Sequence, residues 1–248
     1  MEIIETQFMV DGLALRGELF LPETLYPPLV VGSHGLEGSR HSAKQQVLSR
    51  LLPENGMAFF RFDHRGCGDS QGDFLRDTSL EKRTRDYLAA VHHALSLNRA
   101  SRNVGVFGSS MGGATCINAW QHLEKTDITL CGGVLCAAPV KSRTIQNIPI
   151  QPNDARPALS LDFFRQNLLF DLTAQAGALH HVLLFHGDAD QVVPVSNAHA
   201  IFDRMQPSGH RIIQKGGDHQ MSSPRHQAEF ESQVPAWFKR IFTQPGAA

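Results

Sequence analysis

Apolar and polar positions along this chain follow two rhythms. The opening, QFMVDGLALRGELFLP, has two strand-like runs on either side of Asp11-Gly12 and predicts a hairpin. From Pro28 onward, short apolar runs alternate with stretches of three- and four-residue periodicity. PLVVGSHG, MAFFRFDHRG, NVGVFGSSMGG, TLCGGVLCAAP, HHVLLFHGDAD and HRIIQKGGDH read as strands that end in polar or glycine-rich turns. Between them, His41 to Leu52, Leu80 to Leu97, ATCINAWQHL and VSNAHAIFDRM read as helices. The helix from Leu80 is expected to bury Thr84, Leu88, Val91 and Leu95. A closing helix gathers Phe230, Val234, Trp237, Phe238 and Ile241 on one face. Strands alternating with helices predict an α/β fold, with a mostly parallel, eight-stranded sheet covered on both sides.

One stretch breaks the rhythm. Residues 140–179 form an insert with no clear strand. Its first part carries Pro149, Pro152 and Pro157 and reads as irregular; its second, LSLDFFRQNLLFDL, reads as helical. Such an insert serves as a small lid or as an ordinary crossover helix with a long lead-in. Phe163, Phe164, Leu168, Leu169 and Phe170 are its candidates for lining an apolar pocket; as a crossover helix they would face the sheet instead. Arg143, Arg156 and Arg165 are nearly balanced there by Asp154, Asp162 and Asp171.

Composition narrows the class. At 248 residues the chain is expected to form a single domain, 1–248. A chain of this size buries about 70% of its unfolded surface, ample for one large core. Apolar residues make up 42%, charged residues 19%, and the net charge is -1. That balance argues against disorder and against nucleic acid as the main partner. Cys67, Cys116, Cys131 and Cys136 form no C-x-x-C pair, so a thiol-reduced protein without a zinc ribbon is expected. MEIIETQFMV lacks a basic n-region, and no apolar run approaches a membrane span. A cytoplasmic location without membrane attachment is the expectation.

The chemistry gathers at strand ends. Gly108-Ser109-Ser110-Met111-Gly112 is G-x-S-x-G at a strand-to-helix turn, which exposes the Ser110 hydroxyl above a helix N-terminus. A serine hydroxyl needs a base, and the base needs a carboxylate to hold its tautomer. Both lie downstream after strands: Asp188 and Asp190 in HGDADQVVP, and His219 after Gly216-Gly217. Parallel strands deliver their C-terminal ends to one edge, so residues distant in sequence can meet there. Met111, next after the serine, is a natural backbone donor to a developing oxyanion. Gly66-x-Gly68 with Gly72 fits a dinucleotide fingerprint poorly, and neither H-E-x-x-H nor a P-loop occurs. No cofactor and no metal are expected.

Five segments together resemble the α/β-hydrolase superfamily: SHGLEG, FDHRGCGDS, GSSMGG, HGDADQVVP and GGDH. The resemblance extends from Val30 to the last helix. It looks most like the small cinnamoyl or feruloyl-type esterases and the serine-peptidase-like hydrolases, partly through QGDF after the RGCGDS turn. It implies an α/β-hydrolase fold with Ser110 as nucleophile, Asp190 rather than Asp188 as acid, and His219 as base. The oxyanion donors it implies are the backbone N–H groups of Leu36 and Met111. Glu37, beside them, is expected to point away or to reach a basic partner. Asp63, Arg65 and Ser70 of the D-x-R-G-x-G-x-S turn are expected to be structural. The implied activity is hydrolysis of a small carboxylic ester through an acyl-enzyme. The alternatives are a thioesterase or serine peptidase on the same triad, or a non-catalytic binding protein that keeps the fold.

Overall fold

A computed structural model describes residues 1–147, 150–152 and 158–243. Asp154 and Arg156 of the insert, with Pro149 and Pro157, lie outside the described residues. Eight strands form one sheet in the order β1-β2-β4-β3-β5-β6-β7-β8. They are β1 (Glu2–Val10), β2 (Leu13–Leu21), β3 (Leu29–Ser33), β4 (Ala58–Phe62), β5 (Asn103–Ser109), β6 (Thr129–Cys136), β7 (Val182–Gly187) and β8 (His210–Gln214). β1 and β2 form the expected hairpin, in register from Glu2 opposite Leu21 to Val10 opposite Leu13. Asp11 and Gly12 both take positive φ, 50° and 81°, as the tight turn between right-twisted strands requires. β2 joins β4 antiparallel, and every later neighbour is parallel. β3 and β7 are buried along their whole length, which explains their continuous apolar runs.

Helices cover both faces. Helix α1 (Ala43–Glu54) and α7 (Pro224–Thr243) close one side over Val30, Phe59, Phe107 and Phe185. On the other side, α3 (Leu80–Ser96), α4 (Met111–Leu123) and α6 (Ser196–Phe202) cover Val31, Phe60, Val106 and Leu184, with the short α2 (Phe74–Asp77) at the rim. α7 buries all five of its expected apolar residues. In α3 the buried face is turned from the expected stripe: Leu88 and Leu95 are only half-buried, while Arg83, Asp86 and Tyr87 are buried. A polar network holds that face, and apolar periodicity cannot register it.

The chain leaves β3 toward β4 on one side and leaves β5 toward β6 on the other. Adjacent β3 and β5 therefore send their loops apart and open a crevice at their C-terminal ends, where open α/β sheets bind ligands.

The insert is only partly helical. α5 (Leu161–Asn167) is capped by Ser160, whose hydroxyl accepts the Phe163 N–H. After Leu168 the chain turns back instead of continuing as helix. Leu172 N–H donates to Val140 and Ser142 N–H to Phe170, tying the insert's end to its beginning. The residues of its aromatic run are placed differently. Phe163 is buried against Phe74, with ring centroids 5.9 Å apart. Phe164, Leu168, Leu169 and Phe170 line the crevice.

Candidate active site

The turn after β5 carries the first group. Ser110 sits at φ 53° and ψ -122°, a region that costs a non-glycine residue about 1–3 kcal/mol. The surroundings hold it there: its N–H donates to Cys136 O at 2.8 Å, and its O accepts from Gly113 N–H at 2.8 Å. The glycines flanking the serine are required by packing. A Cβ on Gly112 would strike the Ser33 carbonyl, so only glycine lets α4 start this close to β3.

The loops after β7 and β8 supply the other two groups. Ala189 N–H donates to Gly217 O at 3.0 Å, and a Cβ on Gly187 would run into the Gly217 backbone. That close approach brings Asp190 and His219 together. His219 Nδ1 lies 2.8 Å from Asp190 Oδ2, and Nε2 lies 3.0 Å from Ser110 Oγ. Asp190 Oδ1 accepts the N–H groups of Val192 and Val193, each at 2.8 Å. Burial alone would raise the Asp190 carboxyl. Hydrogen bonds from His186, His219 and the Val193 N–H outweigh it and hold Asp190 below the usual carboxylate range. Its Oδ2 is therefore an acceptor, and His219 Nδ1 is the donor, leaving Nε2 able to accept from Ser110. Asp188 is exposed and accepts the Gly216 N–H instead.

The loop after β3 forms the facing wall, and a buried network sets its backbone. His64 N–H donates to His34 Nε2 at 3.1 Å, so His34 carries its proton on Nδ1 and donates it to Gly35 O at 2.8 Å. Burial, with Arg83 and His64 nearby, keeps His34 neutral by pushing its pKa well below the ordinary imidazole value. Arg83, buried to 1% exposure, reaches from α3 and donates through Nη2 to the carbonyls of both His34 and Gly35. In a trans peptide the N–H points opposite to the C=O. The Gly35 carbonyl is held by His34 Nδ1, Arg83 and the Gly38 N–H, and the Leu36 N–H of the same peptide points away from those donors, in a loop that lines the cavity with Ser110. Gly35 lies against that residue: a Cβ on it would sit 3.6 Å from Ser110 Cβ. Met111, as the first residue of α4, offers a second N–H without an intrahelical acceptor. Nothing in apolar periodicity or motif spacing pointed to Arg83.

Other expected structural residues are placed as such. Arg65 binds Asp86 through its Nε at 2.8 Å. Asp63 accepts the Arg40 N–H and guanidinium, and Ser70 Oγ donates to Asp63 O. Burial pushes the Cys67 thiol up to about 11 and those of Cys116 and Cys136 to about 12, so none is an activated thiolate. Among the described residues there is no cluster of metal-ligating side chains, and no helix is long and apolar enough to cross a membrane.

The resulting cavity holds about 490 Å³. Ser110, Met111, Leu36 and His219 meet at its floor. Ile145, Phe164, Leu168, Leu169 and Phe170 make an apolar side, and Glu37, Ser42, Lys44 and Gln45 make a polar one.

A model of the family described as serine aminopeptidase, S33, matches residues 27–160. Over 160 residues, 62% of the chain, the sequence is 34% identical to the thiohydrolase AneE of Aspergillus aculeatus; the match spans 49% of that protein, about half its length. The fold is similar to that of Est1E from Butyrivibrio proteoclasticus, solved with ferulic acid bound. The TM-score is 0.81 at 23% identity, over 96% of this chain and all of that one. A Pyrococcus furiosus esterase gives a TM-score of 0.78 at 18% identity, over 97% and 91% of the two chains. At these identities the two structures speak for a shared α/β-hydrolase fold.

Proposed function

The chain belongs to the serine aminopeptidase, S33, family of α/β hydrolases, and from that premise we propose that it cleaves carboxylic esters as a serine hydrolase, through an acyl-enzyme. The observation that carries this reading is the continuous hydrogen-bond chain from Asp190 through His219 to Ser110, at 2.8 and 3.0 Å. His219 Nε2 takes the Ser110 proton as Oγ adds to the ester carbonyl. The carbonyl oxygen becomes an oxyanion between the N–H groups of Leu36 and Met111, each worth about 3–4 kcal/mol at the transition state. His219 passes its proton to the departing alcohol. It then takes a proton from a water whose oxygen adds to the acyl carbonyl, and returns that proton to Ser110 Oγ as the acyl–Oγ bond breaks and the acid leaves.

Ester is favoured over peptide by the apolar side of the cavity. Among the described residues, the insert contributes no carboxylate to the lining that could hold a substrate ammonium. The testing experiment is hydrolysis of p-nitrophenyl esters from acetyl to octanoyl beside a prolyl p-nitroanilide and an acyl thioester. The expected result is ester turnover that peaks at short-to-medium chains, in keeping with a cavity of about 490 Å³. Faster turnover of the anilide or the thioester overturns the ester assignment.

Arg83 enters this mechanism as a positioning residue. Arg83→Met removes the donor shared by the His34 and Gly35 carbonyls, so the peptide that carries the Leu36 N–H is held less firmly. The expected loss in kcat is about 10–100-fold, with a much smaller change in KM, because the Leu36 N–H acts mainly at the transition state. Arg83→Lys, which keeps one donor, recovers part of it. A KM rise at constant kcat would assign Arg83 to substrate binding instead.

A further inference from the structure

Gln45 on α1 is a buried polar side chain that the hydrolytic mechanism leaves unused. It is 1% exposed, yet neither its Oε1 nor its Nε2 has a hydrogen-bond partner among the described residues. Its carboxamide lies across the bare backbone of Gly32 in β3, where a Cβ would collide with it. It also lines the cavity that holds Ser110. A buried amide with both halves unmet carries the desolvation cost of each, so whatever fills this end of the cavity should supply the missing partners.

We propose that this end of the cavity is a subsite for a hydroxyl-bearing part of the substrate, recognised by Gln45; the proposal rests on the esterase reading. A carboxamide offers both an acceptor and a donor, and a hydroxyl answers both, accepting from Nε2 and donating to Oε1. An alkyl group there would leave both unmet. A carboxylate would satisfy Nε2 and repel Oε1. The cavity lining also carries one charged side chain of each sign, Lys44 and Glu37, which gives no net preference for an ionic group. The start of α1 adds donors: its first turn holds no acidic residue, and Ser42 makes no side-chain cap to it. The opposite side of the cavity is the apolar one built by the insert. The substrate class is therefore an amphipathic ester, apolar at one end and hydroxylated at the other.

Two matched ester pairs test this. One carries the hydroxyl on the acyl half, p-nitrophenyl ω-hydroxyhexanoate against p-nitrophenyl hexanoate. The other carries it on the alcohol half, ω-hydroxybutyl hexanoate against butyl hexanoate. In one pair the hydroxylated member should be preferred by about tenfold or more in kcat/KM, and in Gln45→Met that ratio should fall close to one. The variant's Tm should hold or rise, because an unmet amide has been removed. Equal rates in both pairs, a preference that survives Gln45→Met, or a stronger preference for the mono-p-nitrophenyl ester of adipic acid overturns the subsite. The same pairs titrated calorimetrically into Ser110→Ala read binding without chemistry. Tighter binding of a hydroxylated member, lost in the Ser110→Ala/Gln45→Met protein, supports the subsite whatever the reaction; equal binding overturns it. Absence of ester turnover by the unmodified enzyme, or turnover that persists in Ser110→Ala, overturns the esterase reading.

Discussion

Ser110→Ala is expected to reduce kcat on p-nitrophenyl butyrate by about three to six orders of magnitude, and His219→Ala by a similar factor. Ser110 Oγ is the nucleophile in the proposed reaction and His219 Nε2, 3.0 Å away, its base, so neither works without the other. The double variant should therefore be scarcely worse than either single one, since groups acting as a unit are not additive. Stability separates chemistry from folding. Alanine must keep the positive φ that Ser110 holds, so Ser110→Ala should melt close to the parent protein. Ser110→Gly loses the same activity but relieves the backbone, and should melt higher by the few degrees that about 1–3 kcal/mol provides. A fluorophosphonate should label the parent protein and leave both Ser110 variants unmodified. Turnover within tenfold of the parent in Ser110→Ala would remove the serine mechanism, and the tight turn would then be a packing device around Gly112.

The groups in this arrangement announce themselves in the sequence unequally. Ser110, Asp190 and His219 stand at ends of β5, β7 and β8, where an apolar run gives way to glycine and polar residues. That contrast is visible in one dimension, and so was their order. Arg83 and Gln45 are different. Each occupies a helix position that ordinary patterning assigns to solvent, and each is buried for a polar reason: Arg83 to hold two carbonyls, Gln45 to line the cavity beside Gly32. Hydrophobic periodicity treats both as outward-facing, which is why α3 came out turned from its expected stripe. The run LSLDFFRQNLLFDL misleads in the opposite way. It is apolar enough for a long helix, but its second half is apolar because it lines the cavity. The helix itself stops at Asn167, where the chain returns to pair with Val140 and Ser142.

Asp190→Asn is expected to lower kcat by about 10⁴-fold, while Asp188→Asn should change it by no more than about threefold. The difference follows from where each oxygen of Asp190 is bound. Oδ1 accepts two backbone N–H groups, from Val192 and Val193, and only an oxygen can stay there. An asparagine must therefore leave its carbonyl oxygen in that place and turn its NH₂ toward His219. Nδ1 of His219, 2.8 Å from Oδ2 in the parent, then faces a donor and has to become an acceptor. The ring proton moves to Nε2, which points at Ser110 Oγ and can no longer take its proton. The substitution is nearly isosteric, so the cavity keeps its shape and KM should move far less than kcat. Asp188 has no such part. It is exposed and holds the turn before His219 through the Gly216 N–H, a bond that an asparagine oxygen also accepts. The measurement is kcat and KM for both variants on p-nitrophenyl butyrate, with the His219 ring-proton tautomer read by ¹⁵N NMR. If Asp188→Asn proves the severe variant, the orienting carboxylate is Asp188, and the contact between Asp190 and His219 serves only to brace the loop.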